Sequence, residues 1–211
     1  MAVEDLFVKS KDFKKLAKEL DKLKKNGTKQ AIMAAIKRTI THVKSTTSKE
    51  IRKDYEIKSS VVGKTMNEGT KKIDSSKLAA SIIVRGRPLT LYGNFKVTPQ
   101  NPPISAVKFG AGSQLVGKKY KVRIRIKKGK SVVIKTNPSA FIAPFSGKLQ
   151  VSKRDGQKRL PISILRTVSV PQMISNEKVA ERISQASGEM LDKRVKHELE
   201  YRIKKLKGEI T

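Results

Sequence analysis

Nine consecutive residues carry the sharpest chemical pattern in the sequence. Lys119, Lys121, Arg123, Arg125 and Lys127 alternate with Tyr120, Val122, Ile124 and Ile126. A strand points successive side chains to opposite faces, so a strand here has one apolar and one wholly cationic face. At about 3.3 Å per residue the cationic row runs for roughly 27 Å. Five like charges in a row are chemistry for an anion, either phosphate oxygens or carboxylates. The competing explanation is an edge strand that uses charge to avoid pairing with another chain. That device needs one or two charges rather than five, so the row reads as a surface facing a partner.

Other chemistry is sparse. The chain has no cysteine, which excludes a disulfide framework, thiolate zinc sites and thiol catalysis. Its two histidines, His42 among threonines and His197 among charges, read as solvated helix residues. Gly117-Lys118 is followed by Lys119 where a phosphate loop needs Ser or Thr, and neither GxGxxG nor GxSxG occurs. Asp74-Ser75-Ser76 reads as a turn. Acids are too few in the middle of the chain for a carboxylate pair or an oxygen-ligated metal. The expectation is a non-enzyme with no catalytic, cofactor-binding or metal-binding residues. Nucleic-acid readout is also poorly served. There is no tryptophan, aromatics are 5% of residues, and no helix-turn-helix, RNP-type or zinc-finger pattern occurs. Contact with nucleic acid would be to backbone phosphate and blind to sequence.

Composition frames that row. Lys and Arg number 48 against 18 Asp and Glu, a net charge of +30 in 211 residues. The excess is concentrated: residues 78–170 hold 19 basic residues and a single acid, Asp155. Interleaved signs would mark an ordinary solvated surface. Hydrophobic residues are 37%, periodic enough to build a modest core. No signal-peptide core is present at the N-terminus, and no apolar run approaches the roughly 18 residues of a membrane span, so no membrane partner is expected.

The elements that must hold the row follow from periodicity. Phe13, Leu16, Ala17, Leu20 and Leu23 predict a helix over 12–25, stopped by Asn26-Gly27. Thr28 is expected to cap a second helix over 29–53. A brief helix over 59–66 and a loop over 67–76 follow. Strands are predicted at 77–84, 89–92 and 104–109, then hairpins 119–127 with 131–136 and 140–145 with 149–153. The chain returns through 160–165 after the turn at Asp155-Gly156. A last helix runs from a cap at Ser175 or Asn176 to about 207. Its apolar stripe drifts from Met190 to Leu191, and its length of roughly 48 Å exceeds what a small domain needs. Residues 195–211 are therefore expected to leave the parent domain and touch a neighbour. The expected class is α+β: a mainly antiparallel sheet core over 78–170, flanked by an N-terminal helical region 1–77 and a C-terminal helix 171–211, in one domain.

A set of short motifs lies between residues 140 and 173. Ala140-Phe141-Ile142 is followed by Gly147-Lys148, opening a strand that ends in Arg154. Arg159 then precedes Pro161-Ile162, and Val170-Pro171 leads into the last basic helix. With Arg38 on a helix of small residues and the basic middle, this resembles the minor tail protein Z family of long-tailed bacteriophages and prophages over about residues 28–210. The turn Asp155-Gly156-Gln157-Lys158 lacks the aromatic-rich hairpin of some members, and 86–118 has no counterpart in the resemblance.

The resemblance implies a structural virion protein at the head-proximal end of a non-contractile tail, assembled in the host cytoplasm. It would act in tail completion, readying the tail to join a DNA-filled head. Implied partners are the tail terminator, tail tube and head–tail connector proteins, with the chain itself in a homo-oligomeric ring, most simply a hexamer. No cofactor is implied. The cationic face would meet packaged DNA, without sequence preference, or an acidic ring surface. Two other readings stay open: a sequence-nonspecific nucleic-acid-binding protein, and another neck component such as a terminator or head-closure protein.

Overall fold

A computed structural model describes residues 11–100 and 120–209, the first four as backbone only. Lys119 and the strand predicted at 104–109 lie outside the described residues. In chain order the elements are α1 (Lys11–Leu23), α2 (Gly27–Asp54), α3 (Ser59–Glu68), β1 (Thr70–Asp74), β2 (Ala79–Ile83), β3 (Leu89–Thr90), β4 (Lys96–Thr98) and β5 (Arg123–Arg125). They continue with β6 (Val132–Val133), β7 (Phe141–Phe145), β8 (Lys148–Arg154), β9 (Ile162–Ile164), β10 (Arg166–Thr167), α4 (Val170–Ile174) and α5 (Glu177–Leu206). The class is α+β, as the sequence predicts, with the antiparallel pairing spread over four small sheets. The chain divides into two compact units, one of residues 1–50, 65–85 and 175–211, the other of 51–64 and 86–174.

The first unit is built on helices. Leu20 from α1, Ala31 and Ala35 from α2, and Val195, Leu199 and Ile203 from α5 form its buried cluster. The small side chains of α2 let the helices approach closely. α1 ends where the sequence predicts: Asn26 takes a left-handed φ of 59°. Gly27 then packs on α1 so tightly that a Cβ would lie 2.9 Å from Leu20 Cγ. Thr28, expected as a cap, lies instead inside α2. Its hydroxyl donates to the Ala17 carbonyl at 2.9 Å, while Asp21 accepts from the Thr28 N–H at 2.9 Å. The first-turn donor is thus satisfied from the preceding helix.

Residues 195–207 do not leave the unit. Val195, Leu199 and Ile203 are core residues, which corrects the expectation that this half of the last helix is given to a neighbour. The drift of its apolar stripe reflects burial at both ends of α5, with Val179 buried near its start. Residues 67–76, expected as a loop, hold β1 instead. β1 pairs antiparallel with β2, from Thr70 opposite Ile83 to Asp74 opposite Ala79. The Asp74 carboxylate closes the turn by accepting from the N–H groups of Ser76 (2.9 Å) and Lys77 (3.2 Å).

The second unit is mostly β. β4, β5 and β6 form one three-stranded antiparallel sheet, β7, β8 and β9 another, and β3 pairs with β10. Val97, Val122, Ile124, Ile142 and Val151 are buried in it. The β7–β8 turn has Ser146 and Gly147 at φ 49° and 75°, the pair of positive φ angles that a two-residue hairpin loop requires. α4 was not foreseen. The Ser169 N–H donates to Gln172 Oε1 at 2.8 Å and the Ser169 hydroxyl accepts from the Gln172 N–H at 3.4 Å, a reciprocal cap that starts this short helix.

Candidate anion-binding face

The alternation holds from Lys121 to Ile124, while Arg125 and Ile126 are both half-buried. Val122 and Ile124 are buried, Lys121, Arg123 and Lys127 are exposed, and Arg125 is half-buried. Tyr120 sits on the apolar side, where its hydroxyl accepts from the Ile142 N–H at 3.1 Å and so ties this segment to β7. The regular strand is short, Arg123–Arg125, but pairing continues beyond it. The Ile134 N–H donates to the Val122 carbonyl at 2.9 Å, the Glu56 N–H to Ile126 at 2.8 Å, and the Lys128 N–H to Asp54 at 2.9 Å.

β5 is the middle strand of its sheet. Arg123 is flanked by Thr98 on β4 and Val133 on β6, and Ile124 by Val97 and Val132. Where the strand is paired on both sides, at Arg123 and Ile124, it has no edge to guard, so protection against edge pairing does not account for the Arg123 charge. Register adds a cation that sequence reasoning missed. Lys96 on β4 stands directly opposite Arg125, and directly opposed residues share a face. Like charges placed so are mildly destabilising, by about 0.2–1 kcal/mol. The Arg125 Nε is buried without a hydrogen-bond partner among the described residues. Nor does any carboxylate there pair with Lys96, Lys121, Arg123, Arg125 or Lys127. The face therefore keeps its full charge available for an external anion.

The motif residues 140–171 have mainly structural surroundings. Ala140 and Ile142 are buried beside and within β7. The Arg154 guanidinium lies 5.5 Å from the Phe141 ring centroid and donates to the Arg159 carbonyl at 2.6 Å, linking two of the motifs. Ile162 pairs with Arg154, and the Pro161 carbonyl accepts from the Asp155 N–H at 3.1 Å. Arg159 and Pro161 are themselves exposed. Gly147 makes the β7–β8 turn, while Val170 and Pro171 open α4, where proline's missing N–H costs nothing. These residues build the β7–β8–β9 sheet and its exit; the cationic row is a separate feature.

The histidines lie elsewhere. Arg194 donates to His42 Nε2 at 2.9 Å, and His197 stacks on Tyr201 with ring centroids 6.4 Å apart. Among the described residues no group of three His, Asp or Glu could hold a metal ion, and no helix is long and apolar enough to cross a membrane.

Among the described residues, the most concentrated chemistry of this α+β chain is charge without an internal counter-ion around β5. The family model of prophage minor tail protein Z matches residues 11–207, and the chain belongs to that family. It is a structural protein of a bacteriophage tail and a component of the virion. No curated protein and no solved structure matches it.

Proposed function

We propose that the protein completes the tail at its head-proximal end and makes it competent to join the DNA-filled head. It works as a homo-oligomeric ring, in the simplest case a hexamer, in contact with the tail terminator, tail tube and head–tail connector proteins. The observation that carries this reading is the cationic face around β5. Arg123 is not needed for edge protection, and no carboxylate among the described residues pairs with Lys96, Lys121, Arg123, Arg125 or Lys127. Repulsion within the row is about 1 kcal/mol or less per close pair in water, so the monomer tolerates it. A ring would bring several such rows together around a channel, and phosphates or carboxylates between them would turn repulsion into attachment.

The test is the double substitution R123Q/R125Q in an infective phage. The apolar face of Val122 and Ile124 is untouched, so the protein should fold normally. The yield of head-joined particles or their retention of DNA should fall, and the defect should deepen as salt rises, because the remaining contacts are screened over about 8–10 Å. Wild-type infectivity at every salt concentration would refute this reading.

A further inference from the structure

The second unit contains a cleft of about 550 Å³. One side comes from the end of α2 and the link after it, with Arg52, Tyr55 and Lys58; the other comes from the approach to β4, with Tyr92 and Lys96, and Lys128 joins from the β5–β6 turn. Four of these residues are cations, and the lining includes a single acid, Glu56. Lys58, Lys96 and Lys128 form no ion pair among the described residues.

Tyr55 is only 7% exposed, yet its hydroxyl makes no hydrogen bond among the described residues. The hydroxyl oxygen is not sealed off from solvent, so the phenol stands open as a donor to a ligand in the cleft that Tyr55 lines. Burial, helped by the neighbouring Asp54 charge, raises its pKa, which keeps it a donor at neutral pH. The walls are pre-set rather than assembled on binding. Hydrogen bonds from the Glu56 N–H to Ile126 and from the Lys128 N–H to Asp54 clamp residues 54–56 against 126–128, and Tyr55 bridges Lys127.

We propose that this cleft binds an acidic peptide segment of a partner chain, its carboxylates taken by Arg52, Lys58, Lys96 and Lys128 and by the Tyr55 hydroxyl. A concavity of this size holds a few side chains, and the apolar parts of Phe95 and Val97 offer a surface to an adjoining apolar residue. A nucleic-acid duplex presents its phosphates on a broad convex cylinder that meets open faces such as β5, not a cleft of this volume. An extended peptide sends alternate side chains the same way about 7 Å apart, so two carboxylates can enter together. The site stands on the geometry of the second unit and not on where the protein sits in the tail.

The test uses the full chain at 150 mM salt and a fluorescein-labelled acetyl-Glu-Asp-Phe-Glu-Asp-amide, read by anisotropy. Its Gln/Asn counterpart, inorganic phosphate and a twelve-nucleotide single strand serve as competitors. The acidic peptide should bind saturably to one site and its neutral counterpart should not compete. K58E/K128E should weaken binding at least tenfold, and Y55F a few-fold, with melting temperatures unchanged since Lys58 and Lys128 are exposed. R123Q/R125Q should weaken peptide binding far less than K58E/K128E, which separates the Lys58 and Lys128 part of this site from the β5 face that Lys96 also borders. The proposal is overturned if the peptide does not saturate, or if R123Q/R125Q weakens it as much as K58E/K128E. It is equally overturned if the oligonucleotide outcompetes the peptide and loses its own binding in K58E/K128E, which would assign the cleft to phosphates.

Discussion

Arg182 holds its Nε 3.0 Å from Glu50 Oε2, although the two residues are 132 positions apart in sequence. Glu50 is 8% exposed, and Arg182 also donates to its backbone carbonyl at 3.4 Å. Glu198, 4% exposed, is met in the same way by Arg38, with Arg202 Nε 3.7 Å away. Each helix thus supplies one buried carboxylate and one arginine to the other. The order is antiparallel: the early residue of α2 meets the late residue of α5, and the reverse. Sliding α5 by one turn would strand both carboxylates away from their cations, so the two pairs select one register.

Arg182→Ala leaves the Glu50 carboxylate buried without this cation and should destabilise the first unit by about 3 kcal/mol. The apolar replacement E50M/R182M should cost less than half as much, because the buried carboxylate is removed together with this arginine. Urea denaturation of the three proteins measures both values, and equal losses would mean that the pair acts through packing alone.

Leu199→Ala should cost about 2–5 kcal/mol, the usual range for emptying a fully buried leucine site. Deleting residues 195–211 removes three members of the same cluster, so the helical unit should lose its cooperative thermal transition. A truncated protein that keeps that transition would show that α1 and α2 hold together without α5.

The Asp74 carboxylate is held below the ordinary aspartate range, first by the Ser76 hydroxyl, then by the N–H groups of Lys77 and Ser76. A depressed folded value means that the turn's contribution is complete at neutral pH and is lost as pH falls through that depressed value. The Ser76 and Lys77 amide resonances should titrate together with a midpoint below that of an unstructured aspartate. D74N should abolish the titration and leave the Leu20 and Leu199 resonances in place. A midpoint at the unstructured value would mean that the β1–β2 turn is open in solution.

Ser169→Ala removes half of the reciprocal cap on α4 and should lower stability by about 1 kcal/mol. Ser169→Asp should restore most of it, since aspartate caps equally well. Thermal melts resolve the difference, and a silent S169A would show that burial of Val170 and Met173 alone holds this helix.

The long helices were readable because each combines 3.6-residue periodicity with a local stop, as at Leu20, Leu23 and Asn26. The β5 alternation was equally plain, since Val122 and Ile124 face inward. The centrality of β5 was not readable: β4 lies well upstream, and nothing local in Phe95-Lys96-Val97 links Lys96 to Arg125. β1 escaped because Lys71-Lys72-Ile73 shows no alternation and gains its conformation from β2. α4 carries a readable signal, Ser169 three residues before Gln172 with Pro171 between them, in the stretch that the sequence assigns to the lead into the last helix. The inward turn of Leu199 and Ile203 depends on α1 and α2, and a drifting stripe cannot say which neighbour receives it. The cleft at Tyr55 joins three stretches that share no motif, so only the folded chain assembles it.

The helical unit draws its core from both ends of the described chain, and this sets an order of events during synthesis. Arg38 leaves the ribosome 160 residues before its partner Glu198. At about 5–20 residues per second that interval is roughly ten to thirty seconds. Throughout it Leu20, Ala31 and Ala35 lack Val195, Leu199 and Ile203, and before it ends every segment of the β unit, which closes at Ile174, has emerged. The β unit is therefore the first that can mature on the nascent chain. The earlier-made helices wait with their apolar sides uncovered, a window in which a trigger-type chaperone or a premature second chain would find them.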